Sequence, residues 1–539
     1  GMNTRSAATL VLAGLVLAGC SAGLGPEGDR VNARSYYDDY QEAEADGANN
    51  YSVGAAAPSA TGQAAGAASP HPADAGKRYG WPGVTDDNTF TDEGSSRWTP
   101  VRTRPQSTFA LDVDTGSYQV ARTFLRDGYR PPAESIRVEE WINAFDYGDP
   151  APIGKDAVRV GAESGVSPYG APGTALVRIG VSTRTATTAK GPTHVTFVVD
   201  TSGSMDIRER LGLVQSSLAL LVNNLEPEDT IAIVEYGSEA RRVLPPTKVR
   251  ESDRIVAAID KLRPSGSTNM EAGLELGYRQ AEAAYDPDGV NAVVLASDGV
   301  ANVGVTESST LTDTITQASS KGIHLVTVGY GMGNYNDTLM EQLADHGDGF
   351  YSYVDDFTEA QRLFVDELTP TLTVVASDAK AQVSFDPEFV GSYRLIGYEN
   401  RGLHNDDYTD DAVDAGELGA GHAVSALYEI KPANAAPAPG TVVGTAGIRW
   451  ATTDGGKGKE VRSDIAWPQA GQQSPSLRLA ALVAATAEYL RGEATEEDAD
   501  LEALRADARA LAAADVSGAR QIEQFLADAA SIDPSRVGG

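Results

Sequence analysis

Short apolar runs alternate with amphipathic stretches through the central third of the chain. Runs of this kind are typical of strands buried on both faces of a parallel sheet, and they occupy residues 195–199, 230–235, 292–297 and 323–328. After the first run, apolar residues recur at helical spacing at Leu211, Val214, Leu218, Leu221, Val222 and Leu225. The regular alternation predicts a doubly wound, Rossmann-like α/β domain with a mostly parallel sheet over residues 193–368.

The segments on either side of this domain have different patterns. Residues 107–114 alternate like a strand and residues 136–142 have a helical pattern, which predicts a small N-terminal α+β domain over residues 105–192. After residue 369 the pattern is strand-like, with Gly- and Asp-rich connections, at residues 380–385, 393–398, 424–430 and 447–451. An antiparallel β region is therefore predicted to about residue 470.

Three helical blocks complete the predicted C-terminal domain, residues 369–539. The first begins at Ser474 and ends before Gly492, as expected from the capping preferences of these residues. Thr495 with Asp498 resembles a capping box ahead of the second block. The third block has apolar residues at helical spacing at Ile522, Phe525 and Leu526.

The N-terminus has the layout of a secretory signal. Arg5 precedes an apolar segment, residues 7–18, that is too short to span a bilayer. The segment leads to Leu17-Ala18-Gly19-Cys20, which resembles the lipobox of bacterial lipoproteins. This resemblance implies that residues 1–20 are a signal peptide and lipobox and that Cys20 carries lipid. The leading Gly1 is interpreted as a remnant of cloning.

A lipid on Cys20 implies that the protein is anchored in the cell envelope. The anchor would lie at the outer membrane or its periplasmic face in a two-membrane bacterium, and at the outer face of the cell membrane otherwise. Two or more acyl chains are enough for stable anchoring in either case. Cys20 is also the only cysteine, which excludes an internal disulfide.

The segment between this cysteine and the first folded region has a biased composition. Residues 21–104 are rich in Ala, Gly, Ser and Pro and contain few aliphatic side chains. Because such a composition cannot build a core, the segment is predicted to be a disordered tether. A flexible tether of roughly 75 residues has an r.m.s. reach of about 50 Å.

The chain is strongly acidic, with 76 acidic and 43 basic side chains and a formal net charge of −33. This balance argues against nucleic acid or an anionic membrane surface as the main partner, and it favours cations and basic surfaces. The charge alone is equally consistent with keeping a secreted protein soluble. The acidic stretch 405–411 fits no EF-hand spacing and is interpreted as a solvated loop rather than a Ca²⁺ site.

Oxygen-bearing side chains follow two of the predicted strands and occupy one further loop. Asp200, Ser202 and Ser204 come directly after the first strand, Thr268 precedes a helical stretch, and Asp298 follows a third apolar run. Open α/β sheets bind ligands at the carboxyl ends of their strands. Carboxylate and hydroxyl oxygens suit a hard ion, Mg²⁺ before Ca²⁺ or Mn²⁺, and offer nothing to zinc or copper.

The order D-x-S-x-S, loop threonine, strand-end Asp-Gly resembles the metal-ion-dependent adhesion site of von Willebrand factor A (vWA) domains. The resemblance implies that Ser202, Ser204 and Thr268 touch the ion, and that Asp200 and Asp298 hold it directly or through water. Since Mg²⁺ requires a complete octahedron, one position is left for the Asp or Glu of a protein partner. The alternative is that Asp200 and the two serines only cap the following helix.

The flanking segments resemble the companion domains of bacterial vWA lipoproteins, and the C-terminal one is of unassigned function in that group. The expected function is therefore an envelope protein that captures a protein partner through Mg²⁺, and not an enzyme. One alternative is an envelope scaffold, in which the central domain docks a neighbouring complex. Another is a metal-dependent hydrolase, which needs a positioned base, and His194 and His324 have neither nucleophile nor zinc spacing.

Proteolysis by an aspartic dyad is a further alternative, because Asp114-Thr115-Gly116-Ser117 matches the active-site signature of aspartic proteases. That chemistry needs two carboxylates that share one proton. No second D-T-G occurs in the chain, so the dyad could arise only by dimerisation.

Overall fold

The computed structural model describes residues 31–42, 96–111, 113–185, 191–299, 309–331, 337–399, 401–452, 457–471, 473–492 and 500–538. Before the central domain the chain forms helices α1 (Ala33–Asp38), α2 (Gly116–Arg126) and α3 (Val138–Asn143) and strands β1 (Thr99–Pro100), β2 (Gln106–Ala110), β3 (Val158–Val166) and β4 (Ala175–Thr183). Among the described residues, no helix is long and apolar enough to cross a membrane.

The central domain alternates strands with helices. Its strands are β5 (Thr193–Asp200), β6 (Thr230–Tyr236), β7 (Ala240–Lys248), β8 (Val290–Ser297), β9 (Ile323–Tyr330) and β10 (Tyr351–Val354). Its helices are α4 (Leu213–Asn224), α5 (Ser252–Ile259), α6 (Met270–Ala283), α7 (Ser309–Ser320), α8 (Asp337–His346), α9 (Phe357–Gln361) and α10 (Leu368–Leu372). A short π-helical segment, Arg208–Gly212, leads into α4.

The six strands form one sheet in the order β10-β9-β8-β5-β6-β7, which is parallel except for the edge strand β7. One face of the sheet is covered by α4, α5, α9 and α10, and the other by α6, α7 and α8. The predicted doubly wound, mostly parallel fold is confirmed. Because β5 has β8 on one side and β6 on the other, the strand order reverses at β5, which is where such sheets bind ligands.

Among the described residues after the central domain there are six strands and three α-helices. The strands are β11 (Val374–Phe385), β12 (Val390–Ile396), β13 (Gly416–Gly419), β14 (Ala423–Pro432), β15 (Val442–Ala451) and β16 (Lys459–Ala466). The helices are α11 (Pro475–Arg491), α12 (Leu501–Ala513) and α13 (Ala519–Ser531). The stretch 405–411, interpreted as a solvated loop, contains a 3₁₀ turn (Asn405–Thr409) with mostly exposed carboxylates.

The two flanking segments share their sheets. One sheet has the order β1-β12-β14-β4-β3, so strands from before and after the central domain alternate in it. In the second sheet β2 pairs with β11, again joining the two segments. A single apolar core lies between these sheets. The predicted separate domains at 105–192 and 369–539 are therefore corrected to one body, because β4 pairs with β14 over residues 175–182 and 423–430.

Helices α11 to α13 pack with α2 and α3 into one apolar cluster, in which Tyr118 and Trp141 meet Phe525. The predicted start of α11 is confirmed, since the Ser474 hydroxyl accepts a hydrogen bond from the Leu477 amide at 3.1 Å. Its predicted end is also confirmed, because Gly492 adopts a left-handed conformation with φ of 74°. The third predicted stripe, Ile522, Phe525 and Leu526, is buried in α13.

The second helical block is observed as α12, which begins at Leu501. Asp500 accepts a hydrogen bond from the Ala503 amide at 2.9 Å and caps α12. Thr495 and Asp498 lie outside the described residues. The predicted signal peptide and lipobox, with Cys20, lie outside them as well.

Part of the predicted tether is a docked helix. The backbone N–H of Val31 donates to Asn223 Oδ1 at 2.9 Å, and Asn223 Nδ2 donates to the Val31 carbonyl at 2.7 Å. Ala33 is buried in the core of the central domain. The hydroxyl of Tyr40 donates to Asp206 Oδ1 at 2.8 Å. The tether prediction is therefore wrong for residues 31–42.

The physical reason is local composition. Three tyrosines in this short stretch, Tyr36, Tyr37 and Tyr40, supply apolar surface, and the hydroxyls of Tyr36 and Tyr40 donate hydrogen bonds to the central domain. Residues 99–104 are also ordered, because β1 pairs with β12. A composition averaged over residues 21–104 conceals both features.

Candidate metal centre

The first strand of the central domain ends with a buried carboxylate at the edge of the sheet. Asp200 is the last residue of β5, and its Oδ1 accepts a hydrogen bond from the Ser202 amide at 2.8 Å. Its Oδ2 accepts from the hydroxyls of Ser297, at 3.1 Å, and Tyr236, at 3.4 Å. The hydroxyl oxygens of Ser202 and Ser204 lie 3.0 Å apart. One loop thus gathers a carboxylate and two hydroxyls.

The hydrogen bonds do not support the alternative that the two serines of this loop only cap the following helix. Ser202 precedes a 3₁₀ turn, Gly203–Met205, and its side chain makes no cap hydrogen bond to that turn. Gly212 occupies the cap position of α4, so neither serine caps that helix. The two hydroxyls are therefore not committed as helix caps and are available as oxygen donors.

The loop that carries Thr268 packs directly against the first loop. The amide of Ser265 donates to the Thr201 carbonyl at 2.5 Å, and the amide of Gly203 donates to the Gly266 carbonyl at 3.4 Å. Gly266 has a φ of 76°, a conformation that favours glycine. Thr268 itself is buried at the start of α6. Main-chain hydrogen bonds therefore hold the threonine loop beside the serine loop.

The second carboxylate comes from the neighbouring strand. β8 pairs with β5 in parallel up to Val199 and Ala296, so Asp298 emerges next to Asp200. Both side chains are fully buried. Burial raises the pKa of Asp200, and the charge of Asp298 raises it further. The structure thus gathers the elements that carry all five predicted site residues at one edge of the sheet.

A buried cation, which no sequence motif predicted, lies in the same place. Arg210 is buried, and its Nη1 lies 3.0 Å from Asp298 Oδ2 and donates to the Ser204 carbonyl at 2.6 Å. The sequence does not single this residue out, because three other charged residues, Asp206, Arg208 and Glu209, come shortly before it.

This donor set fits a hard divalent ion. Two buried carboxylates face one guanidinium, so the ionised site keeps an excess of one negative charge in surroundings of low dielectric. A divalent cation would relieve the repulsion that raises the pKa of Asp200. Asp200, Ser202, Ser204, Thr268 and Asp298 are the side chains that would hold it, and all their donor atoms are oxygens.

Comparison with known proteins identifies the domain that carries this centre. A family model described as "von Willebrand factor type A domain" matches residues 194–366. The central domain is a von Willebrand factor type A domain. Two further models match the flanks of this vWA domain: "von Willebrand factor" over residues 84–178 and "Uncharacterized protein YfbK, C-terminal" over residues 370–531.

Individual relatives share different amounts of the chain. "Uncharacterized protein YfbK" of Escherichia coli strain K12 is 41% identical over 340 residues, which cover 61% of this chain and 59% of that protein. "Inter alpha-trypsin inhibitor, heavy chain 4" of Mus musculus is 25% identical over 222 residues, covering 38% and 23%. The chain thus spans less than two thirds of these relatives. The solved structure "von Willebrand factor type A from Catenulispora acidiphila" aligns with 16% identity and a TM-score of 0.40, covering 67% of this chain and 88% of that one.

Von Willebrand A domains typically hold a divalent metal at the adhesion site, commonly bind protein partners, and are generally not enzymes. The two histidines considered as bases lie away from the metal centre. His194 and His324 are near the starts of β5 and β9, at the sheet edge opposite Asp200. Burial lowers the pKa of both. Neither is placed to activate a water at the centre.

A second group of buried carboxylates, Asp114, Glu140 and Glu341, lies between the vWA domain and the flanking body. Arginines are placed among them: Arg137 Nη2 lies 2.8 Å from Glu341 Oε2, and Arg401 Nη2 lies 3.0 Å from Glu341 Oε1 and 3.5 Å from Asp114 Oδ2. The two guanidiniums offset most of the negative charge. We therefore interpret this group as an ion-pair network that joins the two bodies.

The same network explains the protease-like motif. Asp114 Oδ1 accepts a hydrogen bond from the Tyr351 amide at 2.9 Å. A Cβ at Gly116 would lie 2.1 Å from the Tyr351 ring, so glycine is needed for this close approach. The Ser117 amide donates to Glu140 Oε2 at 2.6 Å. The D-T-G-S residues thus connect α2 to the vWA domain and leave no room for a substrate between Gly116 and Tyr351.

Further carboxylates line a cavity of about 250 Å³ at the same junction, among them Asp348 of the vWA domain and Glu417 of the flanking body. Burial raises the pKa of Glu417 to about 8, and the charges of Asp348 and Asp378 add to the rise. Burial likewise raises the pKa of Asp348 to about 6. At neutral pH Glu417 therefore retains a proton that the unfolded chain has lost.

Because Glu417 keeps its proton in the folded state, we expect the free energy of unfolding to fall as pH rises. The unfolded glutamate has a pKa near 4.3, so between about pH 4.3 and 8 the folded state binds more protons, and stability falls with increasing pH. Glu417→Gln removes the titrating group and keeps an acceptor for the Asp378 amide. Calorimetry should give a higher Tm than wild type at pH 8 and a similar Tm at pH 5. Glu239→Gln, at an exposed site, is the control, and equal behaviour of the two variants would contradict the prediction.

Proposed function

We propose that this protein is a membrane-anchored binding protein of the cell envelope that captures a protein partner through a Mg²⁺ ion. Asp200, Ser202, Ser204, Thr268 and Asp298 would hold the ion, with Mn²⁺ and Ca²⁺ as alternatives. An Asp or Glu of the partner would complete its coordination. When bound, the ion supplies a Lewis-acidic position that a carboxylate can occupy.

One observation carries the proposal: two buried carboxylates and the Ser202–Ser204 hydroxyl pair meet at the strand-order reversal of a vWA sheet. An ion held largely by neutral hydroxyls and water keeps much of its positive charge. The ion would therefore attract an anionic side chain more strongly than an ion enclosed by several carboxylates.

The anchor in this proposal is Cys20, on the lipobox resemblance of Leu17-Ala18-Gly19-Cys20. The location is the cell envelope, at the outer membrane or periplasmic face in a two-membrane bacterium and at the outer face of the cell membrane otherwise. The net charge of −33 supports a protein partner in preference to nucleic acid.

Chelation should release the partner. The full chain, immobilised in Mg²⁺ and exposed to detergent-extracted envelope proteins, should hold a defined protein that EDTA elutes and that binds again when Mg²⁺ is restored. Asp313→Ala is the matched control, because Asp313 is an exposed carboxylate on α7 of the same domain, and this variant should retain the EDTA-sensitive capture. A partner that stays bound throughout chelation would overturn the proposal.

A further inference from the structure

A buried guanidinium lies against the metal centre on its protein side. Arg210 is 6% exposed and Asp298 is 0% exposed, and they form an ion pair at 3.0 Å. The same guanidinium nitrogen donates to the Ser204 carbonyl at 2.6 Å. Arg210 thus connects the predicted ligand Asp298, which directly follows β8, to the loop after β5.

The fold makes specific room for this side chain. Arg210 lies in the π-helical segment Arg208–Gly212 that follows the serine loop. At the end of β9, Gly331 has a φ of 72°, and a Cβ there would lie 2.6 Å from Arg210 Nε and 2.7 Å from its Cγ. A side chain at position 331 would therefore displace the arginine.

We propose that Arg210 is an internal counter-ion that competes with the divalent ion, and that it determines both the metal affinity and the net charge of the loaded site. The inference rests on the proposed function and deepens it. Without metal, Arg210 offsets one of the two buried carboxylates, so the empty site stays folded. With metal bound, the guanidinium and the ion repel each other, which lowers the affinity for the ion.

The charges of the buried groups give the direction of the effect. Asp200 and Asp298 contribute two negative charges and Arg210 one positive charge, so a bound divalent ion leaves the site with a net charge of about +1. Without Arg210 the loaded site would be neutral. The arginine therefore costs affinity for the metal and favours an anionic group from the partner as the last ligand.

Arg210→Met tests this inference, because methionine retains the apolar stem and removes the charge. Calorimetric titration of the full chain with Mg²⁺ should show tighter binding than wild type, by about tenfold and within the roughly 5–150-fold range usual for coupling between sites. By linkage, the difference in Tm between Mg²⁺ and EDTA should also be larger in the variant. Arg210→Lys, which keeps the charge, should remain close to wild type in both measurements.

The outcomes separate the two proposals. If wild type binds Mg²⁺ and Arg210→Met binds it equally or more weakly, the counter-ion role is overturned while the metal centre stands. If wild type takes up no Mg²⁺ or Mn²⁺, the proposed function fails first. Should Arg210→Met fold only in Mg²⁺, the inference is supported. Should it fold in neither condition, Arg210→Gln, which keeps a donor for the Ser204 carbonyl, is measured in its place against the same criteria.

Discussion

Replacing Asp200 with alanine should abolish Mg²⁺ binding without unfolding the chain. Loss of an outer-shell partner already costs a metal site roughly 10–100-fold in affinity, and Asp200 is expected to contribute more, as one of the two carboxylates of the centre. The metal-free protein should be as stable as wild type or more stable. The reason is that the substitution removes a buried carboxylate whose pKa is raised by burial and by Asp298.

The measurement combines calorimetric titration with Mg²⁺ and thermal unfolding in EDTA. Asp313→Ala should leave Mg²⁺ affinity unchanged. Asp200→Asn keeps an acceptor for the Ser202 amide but not the charge, so it separates the role of the hydrogen bond from that of the charge. Mg²⁺ affinity within about threefold of wild type in Asp200→Ala would show that the ion does not bind here, since even an outer-shell loss costs roughly tenfold or more.

Replacing Arg401 with methionine should lower the free energy of unfolding by about 3–5 kcal/mol, the usual cost of removing one partner from a buried ion pair. Arg401 contacts Glu341 at 3.0 Å and Asp114 at 3.5 Å, and both carboxylates are buried. The substitution removes this cation from both carboxylates, while Glu341 keeps its contact with Arg137 at 2.8 Å.

Urea unfolding of the full chain measures this effect. Arg520→Met is the control, because Arg520 pairs with Asp515 at 3.3 Å with both side chains mostly exposed, and an exposed pair contributes only about 0–1 kcal/mol. If the two arginine variants lost the same small amount of stability, the network would not be holding the vWA domain to the flanking body.

The central domain could be predicted in detail because each of its strands can be recognised from an apolar run in the local sequence. Each predicted run lies inside an observed strand: 195–199 within Thr193–Asp200 and 323–328 within Ile323–Tyr330, for example. A strand buried on both faces has to be apolar throughout, so its sequence alone distinguishes it from its neighbours.

The flanking body could be predicted only in part: the runs 380–385, 424–430 and 447–451 lie inside β11, β14 and β15, but β4 and the way the strands pair were not predicted. β4 is buried along its length but includes Arg178, which pairs with Asp149 at 2.7 Å and Glu163 at 2.6 Å. A charged residue in the run conceals the strand until its distant partners are known. The pairing of β4 with β14 joins segments on opposite sides of the vWA domain, and no local pattern specifies such a partner.

The residues of the candidate metal centre also differ in whether the sequence could predict them. The five oxygen donors could be recognised because three short motifs carry them in order along the chain. Arg210 could not, because it lies in the charged stretch 206–210, and charged side chains of this kind are mostly exposed to solvent. Its partner Asp298 is 88 positions away, so only the folded chain brings the two together.

The docked helix α1 constrains how the vWA domain is oriented relative to the proposed membrane anchor. Asp200 ends β5 at one edge of the sheet, and α4 runs back to the opposite edge, where Asn223 holds Val31. With lipid on Cys20, as proposed, only ten residues, 21–30, separate it from that edge, and ten residues can span at most about 36 Å. The edge opposite the candidate metal centre would then be the one held near the membrane, and the centre would face away from the anchor, toward partners on the far side of the domain.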